Sequence, residues 1–186
     1  SRGLGDVYKR QVYEGSKGED SMYDSILKAS QAYSSGNYVE CAKHLLKVDK
    51  DSLPSTTAKN LYTSMKDKAF QNAAAQLYNS GKASFDAYKY QDALDDLEQS
   101  YKYDKSYNTE YHIAMCYKYL NKNTDKAQEY FHDIINNSGD SELIRKAANL
   151  GLDMVINSAK EAAAKAKGGS TTTDSKSDTA SSSDSS

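Results

Sequence analysis

The stretch Gly36-Asn37-Tyr38-Val39-Glu40-Cys41 is answered 52 residues later by Tyr88-Lys89-Tyr90-Gln91-Asp92-Ala93. The same shift lays Tyr33 on Phe85 and Leu45 on Leu97, and a further shift of 34 carries Ala93 to Ala127 and Leu97 to Phe131. Recurrence at such intervals marks a repeat architecture. In the first two copies an aromatic precedes a turn. In all three a small residue follows the turn, and a large apolar one comes four residues later. Small residues let helix backbones approach, and large ones fill the space opposite.

Working outward, the apolar spacing is helical from about 20 to 167. Met22, Ile26 and Ala29 recur at four and three, as do Leu94, Leu97 and Tyr101, and Tyr130, Phe131, Ile134 and Ile135 form a third stripe. No alternating strand pattern competes. Breaks fall at Gly36-Asn37, Ser52-Leu53-Pro54-Ser55, Ser106 with Asn108, Asn123-Thr124, Gly139-Asp140-Ser141 and Gly168-Gly169. Helices are therefore expected near 20–35, 38–49, 55–86, 90–103, 107–121, 124–137 and 141–166. The connections are short, which predicts antiparallel neighbours. The helix over 55–86 is unusually long and is expected to kink or break near Asn72 or Gly81, where helix propensity is weakest.

These residues resemble the tetratricopeptide repeat (TPR) family. That family has a small residue in its first helix, an aromatic a turn later, and a G-[DN]-Y-x-x-A step into its second helix. Gly36 to Cys41 fits, with Cys41 where Ala is usual, and Tyr88 to Ala93 fits without the glycine. Ala114 and Tyr117 fit the third first-helix, and Ala127 with Phe131 the third second-helix. The turn from Asn121 to Asp125 is one residue too long, and the closing proline is missing from every repeat. The resemblance implies an all-α fold: a right-handed α-solenoid of antiparallel helix pairs, about three repeats plus a C-terminal capping helix over 141–166. Each pair would bury its apolar face against the next. In style the chain is also similar to membrane-anchored, extracytoplasmic repeat proteins of Gram-positive bacteria.

Both ends read as outside this domain. Asp6 to Gln11 resemble a translation of the transposase mosaic end used to prepare sequencing libraries. Residues 1–19 are accordingly expected to be artefactual or disordered, as in a metagenomic fragment, with any signal or anchor lying upstream. The repeat domain is expected over 20–167. The tail 168–186 is rich in Ser, Thr and Asp, holds no apolar residue larger than Ala180, and is expected to be disordered.

Composition narrows the function classes. Lys+Arg number 24 and Asp+Glu 26, for a net charge of -2, so a nucleic-acid surface is not expected. No apolar run approaches the ~18 residues a membrane span requires. Leu, Ile, Val and Phe together are scarce, a warning of disorder only when net charge is high, and 16 tyrosines supply the missing apolar area. Two cysteines exclude a disulfide framework.

No catalytic, cofactor or metal site is expected. Cys41 and His44 share a helix face, but a metal would need two more ligands, and Cys41 holds the buried small-residue slot. Cys116 reads as a core thiol. Ser80-Gly81-Lys82-Ala83-Ser84 lacks the earlier glycine of a phosphate loop, since Gln76 stands there. Asp49-Lys50-Asp51 lacks the glycine and final Glu of a calcium loop and reads as a turn. Asp92, Asp95, Asp96 and Glu98 read as a solvated acidic face.

Binding is the remaining class. In tetratricopeptide stacks the first helices line a groove that takes an extended or helical peptide. Carried over by register, the groove consists of Tyr78, Asn79, Lys82, Tyr111, Met115, Lys118 and Tyr119. Phe85, Asp86 and His112 neighbour them, and the first repeat offers Ile26, Ser30 and Tyr33; Phe85 and Tyr33 read rather as core. Tyr78 stands where the chaperone-docking members carry Asn or Lys, which argues against a carboxylate clamp. The resemblance thus implies a non-enzymatic protein–protein interaction scaffold whose partner is a protein or peptide, or another copy of itself. The alternative is a spacer domain of an anchored bacterial cell-envelope protein, and an extracytoplasmic location is favoured over a cytoplasmic one.

Overall fold

A computed structural model describes residues 20–168, so the expectations for 1–19 and for the tail beyond Gly168 lie outside the described residues. Among the described residues the chain is all-α. It runs α1 (Asp20–Ser34), α2 (Tyr38–Leu46), a 3-10 turn (Lys50–Ser52), α3 (Thr56–Asp86), α4 (Tyr90–Tyr103), α5 (Tyr107–Leu120), α6 (Thr124–Asn137) and α7 (Ser141–Gly168). Each helix packs on its neighbours in sequence, most extensively α3 on α4, and α1 also reaches α3. No helix of the described residues is long and apolar enough to cross a membrane.

Local chemistry sets the boundaries. Asn37 caps α2 by accepting from the Glu40 N–H at 3.3 Å, and Ser55 caps α3 through the Ala58 N–H at 3.0 Å. Asp140 accepts from the Glu142 and Leu143 N–H groups at 3.0 and 3.1 Å and so starts α7. Each such cap satisfies a donor that the first turn leaves without a helical partner.

Two expectations about helix length change. α2 ends at Leu46, three residues short of the expected 49. Asp49 turns the chain instead: its carboxylate accepts from the Asp51 N–H at 3.1 Å and the Ser52 hydroxyl at 2.7 Å. Such side-chain bonds compete with helix continuation, and they hold the Asp49 carboxyl below its usual range. The connection nonetheless contributes Val48 and Leu53 to the core. Conversely α3 runs as one 31-residue helix, without the break expected near Asn72 or Gly81. Packing outweighs propensity here. A Cβ built on Gly81 would lie 2.8 Å from Leu97 Cγ and 3.2 Å from the Ala93 carbonyl oxygen, so the glycine is what lets α3 lie close to α4. Gly81 is a point of close contact rather than a break.

Residues matched by the sequence shifts occupy matched environments. Cys41, Ala93 and Ala127 are fully buried, and Leu45, Leu97 and Phe131 are buried four residues after each. In the helices before them Ala29, Gly81 and Ala114 are buried. Tyr33 meets Tyr38 edge-on at 5.6 Å, and Phe85 meets Tyr90 edge-on at 5.3 Å. The core divides along the chain. One cluster joins α1, α2 and the first half of α3, another joins α4 to α7, and Ala42, Ala73, Ala74, Leu77 and Tyr103 lie in a third.

Candidate functional site

The most exposed aromatic chemistry gathers where the end of α3, the start of α4 and one face of α5 meet. His112 on α5 meets Tyr78 edge-on at 5.6 Å and Phe85 at 6.1 Å. Phe85 in turn meets Tyr90 at 5.3 Å and Tyr119 at 5.8 Å. Tyr90 and Tyr119 lie flat on each other, 4.6 Å apart and 7° from parallel, and Tyr88 closes on Tyr90 at 6.4 Å. Tyr111 abuts His112 at 5.4 Å. Aromatic pairs at such separations add about 0.5–1.5 kcal/mol each beyond the area they bury. The result is a ladder of seven rings, of which Tyr88 is 79% exposed and Tyr119 51%.

Tyr88 is there because of its backbone. It has φ +61°, in the left-handed region, as Gly36 has φ +72° at the matching position. The turn geometry therefore recurs although the glycine does not, and the tyrosine ring projects from the turn.

His112 is half-buried in this ladder. Its Nδ1 lies 2.7 Å from the Asn108 carbonyl oxygen, which can only accept, so Nδ1 carries the hydrogen. Burial lowers its pKa, Lys82 and Lys146 push the same way, and the Asn108 carbonyl and Asp86 oppose. Burial also raises the hydroxyls of Tyr78 and Tyr111.

The seven residues expected to line one groove are spread over several settings. Tyr78, Tyr111 and Tyr119 join the ring ladder directly. Tyr78 and Asn79 also line a cleft of about 260 Å³ with Gln71, Asp104, Ser106 and Asn108. Lys82 pairs with Asp86 at 3.6 Å beside Phe85. Met115 is half-buried on α5. Lys118 points elsewhere, to Asp153 on α7 at 3.6 Å, and lines a small recess with Tyr117, Asn121 and Met154. Ile26, offered by the first repeat, is buried in the core instead. Tyr33 is half-buried beside Tyr38, and Lys68 stands over the two rings at 6.0 and 5.6 Å.

Tyr88 and Tyr90 are the residues the sequence reading left out of the site. The signal for Tyr88 was present: a bulky aromatic where the motif has glycine.

The remaining polar chemistry is internal. Tyr101 of α4 donates to Glu110 of α5 at 2.6 Å, and Tyr117 of α5 donates to Glu98 of α4 at 2.6 Å. The two helices thus exchange a tyrosine and a carboxylate. Glu98 is not part of a solvated face, as the sequence suggested, although Asp92 and Asp95 are exposed. Cys41 and Cys116 are buried, and burial pushes their thiols up to about 11 and about 12. At neutral pH both remain protonated, which makes them poor nucleophiles and metal ligands.

Comparison with family models, with curated proteins and with solved structures gives no match to this chain.

Proposed function

We propose that the chain is a non-enzymatic interaction scaffold of tetratricopeptide type. In this reading its helix pairs form a right-handed solenoid, and a peptide or protein segment lies against the aromatic ladder of α3, α4 and α5. The observation that carries the reading is Tyr88. Holding a residue with a Cβ in the left-handed region costs about 1–2 kcal/mol, and the ring so displayed is 79% exposed. Strain retained at an exposed aromatic is a reason to look for function there. Tyr119 and Tyr90 extend the same surface. Tyrosine suits such a role because it buries much area at small entropic cost and keeps a polar tip.

Matched burial at Cys41, Ala93 and Ala127 supports the repeat reading. The buried, protonated thiols support binding over thiol catalysis.

The test is selection from a displayed peptide library against the immobilised full chain and against its Tyr88→Ser/Tyr119→Ser variant. The variant also loses ring contacts to Tyr90 and Phe85, so both proteins are compared at a temperature where their circular-dichroism melts show them folded. The expected result is peptides enriched by the native chain and depleted at least about tenfold on the variant, the change that about 1.4 kcal/mol produces. Equal recovery on both proteins, or none on either, would sink the proposal.

A further inference from the structure

Glu110 is the one buried carboxylate in the molecule's core among the described residues, 3% exposed on α5. One oxygen, Oε1, accepts from the Tyr101 hydroxyl of α4 at 2.6 Å. The other, Oε2, is fully enclosed and has no hydrogen-bond partner. An ionised carboxylate can only accept, so in that state Oε2 is an unpaired buried acceptor, which is costly. Protonated, the same oxygen becomes a donor, and Asp133 of α6 is the neighbouring carboxylate that favours this protonated form.

The surroundings are poor in cations. From α4 come Tyr101 and Glu98, the latter occupied by Tyr117. From α6 come Asp133 and Tyr130, whose ring meets Tyr101 edge-on at 5.7 Å while Lys126 stands 5.9 Å over it. The connection between α4 and α5 supplies Lys105. The charges of α3 and α7 are engaged elsewhere: Lys82 and Asp86 act on His112, Lys146 acts on Tyr111 and His112, and Asp153 pairs with Lys118. Among the described residues, Lys105 is the cation that acts on Glu110 against these carboxylates.

We propose that Glu110 is a proton-operated latch at the junction of α4, α5 and α6. With a proton taken from solvent it ties α5 to α6 through Asp133, and with the proton returned it leaves Oε2 unpaired and loosens that seam.

The electrostatics agree in direction. Burial is the largest effect on Glu110 and Asp133 adds to it, while Tyr101 and Lys105 oppose; the carboxyl is raised to about 7 from 4.5. A carboxyl raised in the folded state binds more protons there than in the unfolded chain. Its contribution is therefore full below the ordinary carboxylate range, is lost as pH rises toward 7, and is flat above. His112 runs the other way: its lowered pKa makes the fold lose stability as pH falls through its ordinary 6.5. A bare pH profile would mix the two.

The experiment therefore compares Tm of the full chain with that of Glu110→Gln between pH 5 and 8.5, since His112 is common to both. Gln keeps an acceptor for Tyr101 and supplies a permanent donor toward Asp133. The variant should melt higher than the native chain by about 5 °C at pH 8.5, a size typical of a few kcal/mol or less in a domain of this length. That gap should close as the pH falls to 5. A gap that does not change with pH overturns the latch, because a purely structural effect of the amide would be constant. The second measurement does not depend on the variant folding. The Glu110 carboxyl ¹³C resonance of the native chain should titrate near neutrality, and a midpoint in the ordinary carboxylate range also overturns the proposal.

Discussion

The turn between α1 and α2 and the turn between α3 and α4 are two versions of one structure. Ala29, Tyr33, Gly36, Tyr38, Cys41 and Leu45 in the first stand 52 positions before Gly81, Phe85, Tyr88, Tyr90, Ala93 and Leu97 in the second. Both turn residues have positive φ, both aromatic pairs meet edge-on, and both small residues are buried. They differ in two places. The first copy keeps glycine at the turn and alanine in the helix before it. The second has glycine in the helix and tyrosine at the turn. In the second copy the helix glycine has no room for a Cβ, and the turn displays a ring. One scaffold can thus be tuned for packing at one position and for display at another seven residues away, without changing its backbone plan.

The packing half of that comparison is broken most severely by Ala93→Arg. Ala93 is fully buried, and its carbonyl already lies 3.2 Å from where a Gly81 Cβ would be. An arginine there must bury an unpaired charge or force α3 off α4. The expected loss exceeds about 4 kcal/mol, in the range tied to buried charge and overpacking. The circular-dichroism melt should shift to a clearly lower midpoint. An unchanged melt would mean that the register of α4 against α3 is not the one described.

That register was legible in the sequence because burial at a helix seam constrains residue size on both sides. Cys41, Ala93 and Ala127 stood out by spacing, and all three are buried. Most helix ends were legible too, through Asn37, Ser55 and Asp140, whose side chains bond locally. What was not legible depends on neighbours distant in sequence. Gly81 looks like a flaw when only α3 is considered and becomes necessary once Leu97 is placed opposite it. Glu98 looks like a surface carboxylate, and nothing marks Glu110 at all, until Tyr117 and Tyr101 are placed on the other helix. Lys118 reads as a groove residue from its register, yet Asp153 on α7 determines where it points. Sequence spacing places a residue on a face. It does not say which partner will claim the end of a long side chain.

The two buried helix glycines sharpen the same point. Gly81→Ala gains about 0.8–1 kcal/mol of helix propensity, but its Cβ would meet Leu97 Cγ at 2.8 Å and a backbone oxygen at 3.2 Å. Leu97 is fully buried and has no room to retreat. Overpacking of this kind costs about 1–3 kcal/mol, so the net change is a destabilisation of up to about 2 kcal/mol. Gly151→Ala on α7 is the control. Its Cβ would sit 3.4 Å from the Gln128 side-chain oxygen and 3.5 Å from Phe131, which is ordinary contact. That variant should be neutral or gain up to about 1 kcal/mol. Urea midpoints of the two proteins should move in opposite directions; a shift of the same sign in both would show that close approach is not what distinguishes them.

The smallest expected effect bears on the display half. Tyr88→Gly relieves the left-handed backbone strain, worth about 1–2 kcal/mol. Against this stand the extra freedom of glycine in the unfolded chain, worth about 0.4–1 kcal/mol, and the loss of an exposed ring contact to Tyr90 at 6.4 Å. These contributions nearly cancel, so the expected change lies within about 0.5 kcal/mol of zero. The converse change, Gly36→Tyr, imposes the same strain on the first turn, where nothing lies within 4 Å of an added Cβ. It should destabilise by a similar small amount for backbone reasons alone. If the second turn keeps its tyrosine for display, Tyr88→Gly will leave the fold nearly as stable and weaken peptide capture, whereas Gly36→Tyr will weaken the fold and leave capture unchanged. A Tyr88→Gly protein that is both less stable and fully able to bind would reverse the assignment and make Tyr88 a packing residue. Because both variants change the same two residue types at equivalent backbone positions, the difference between them isolates what the ring does from what the turn costs.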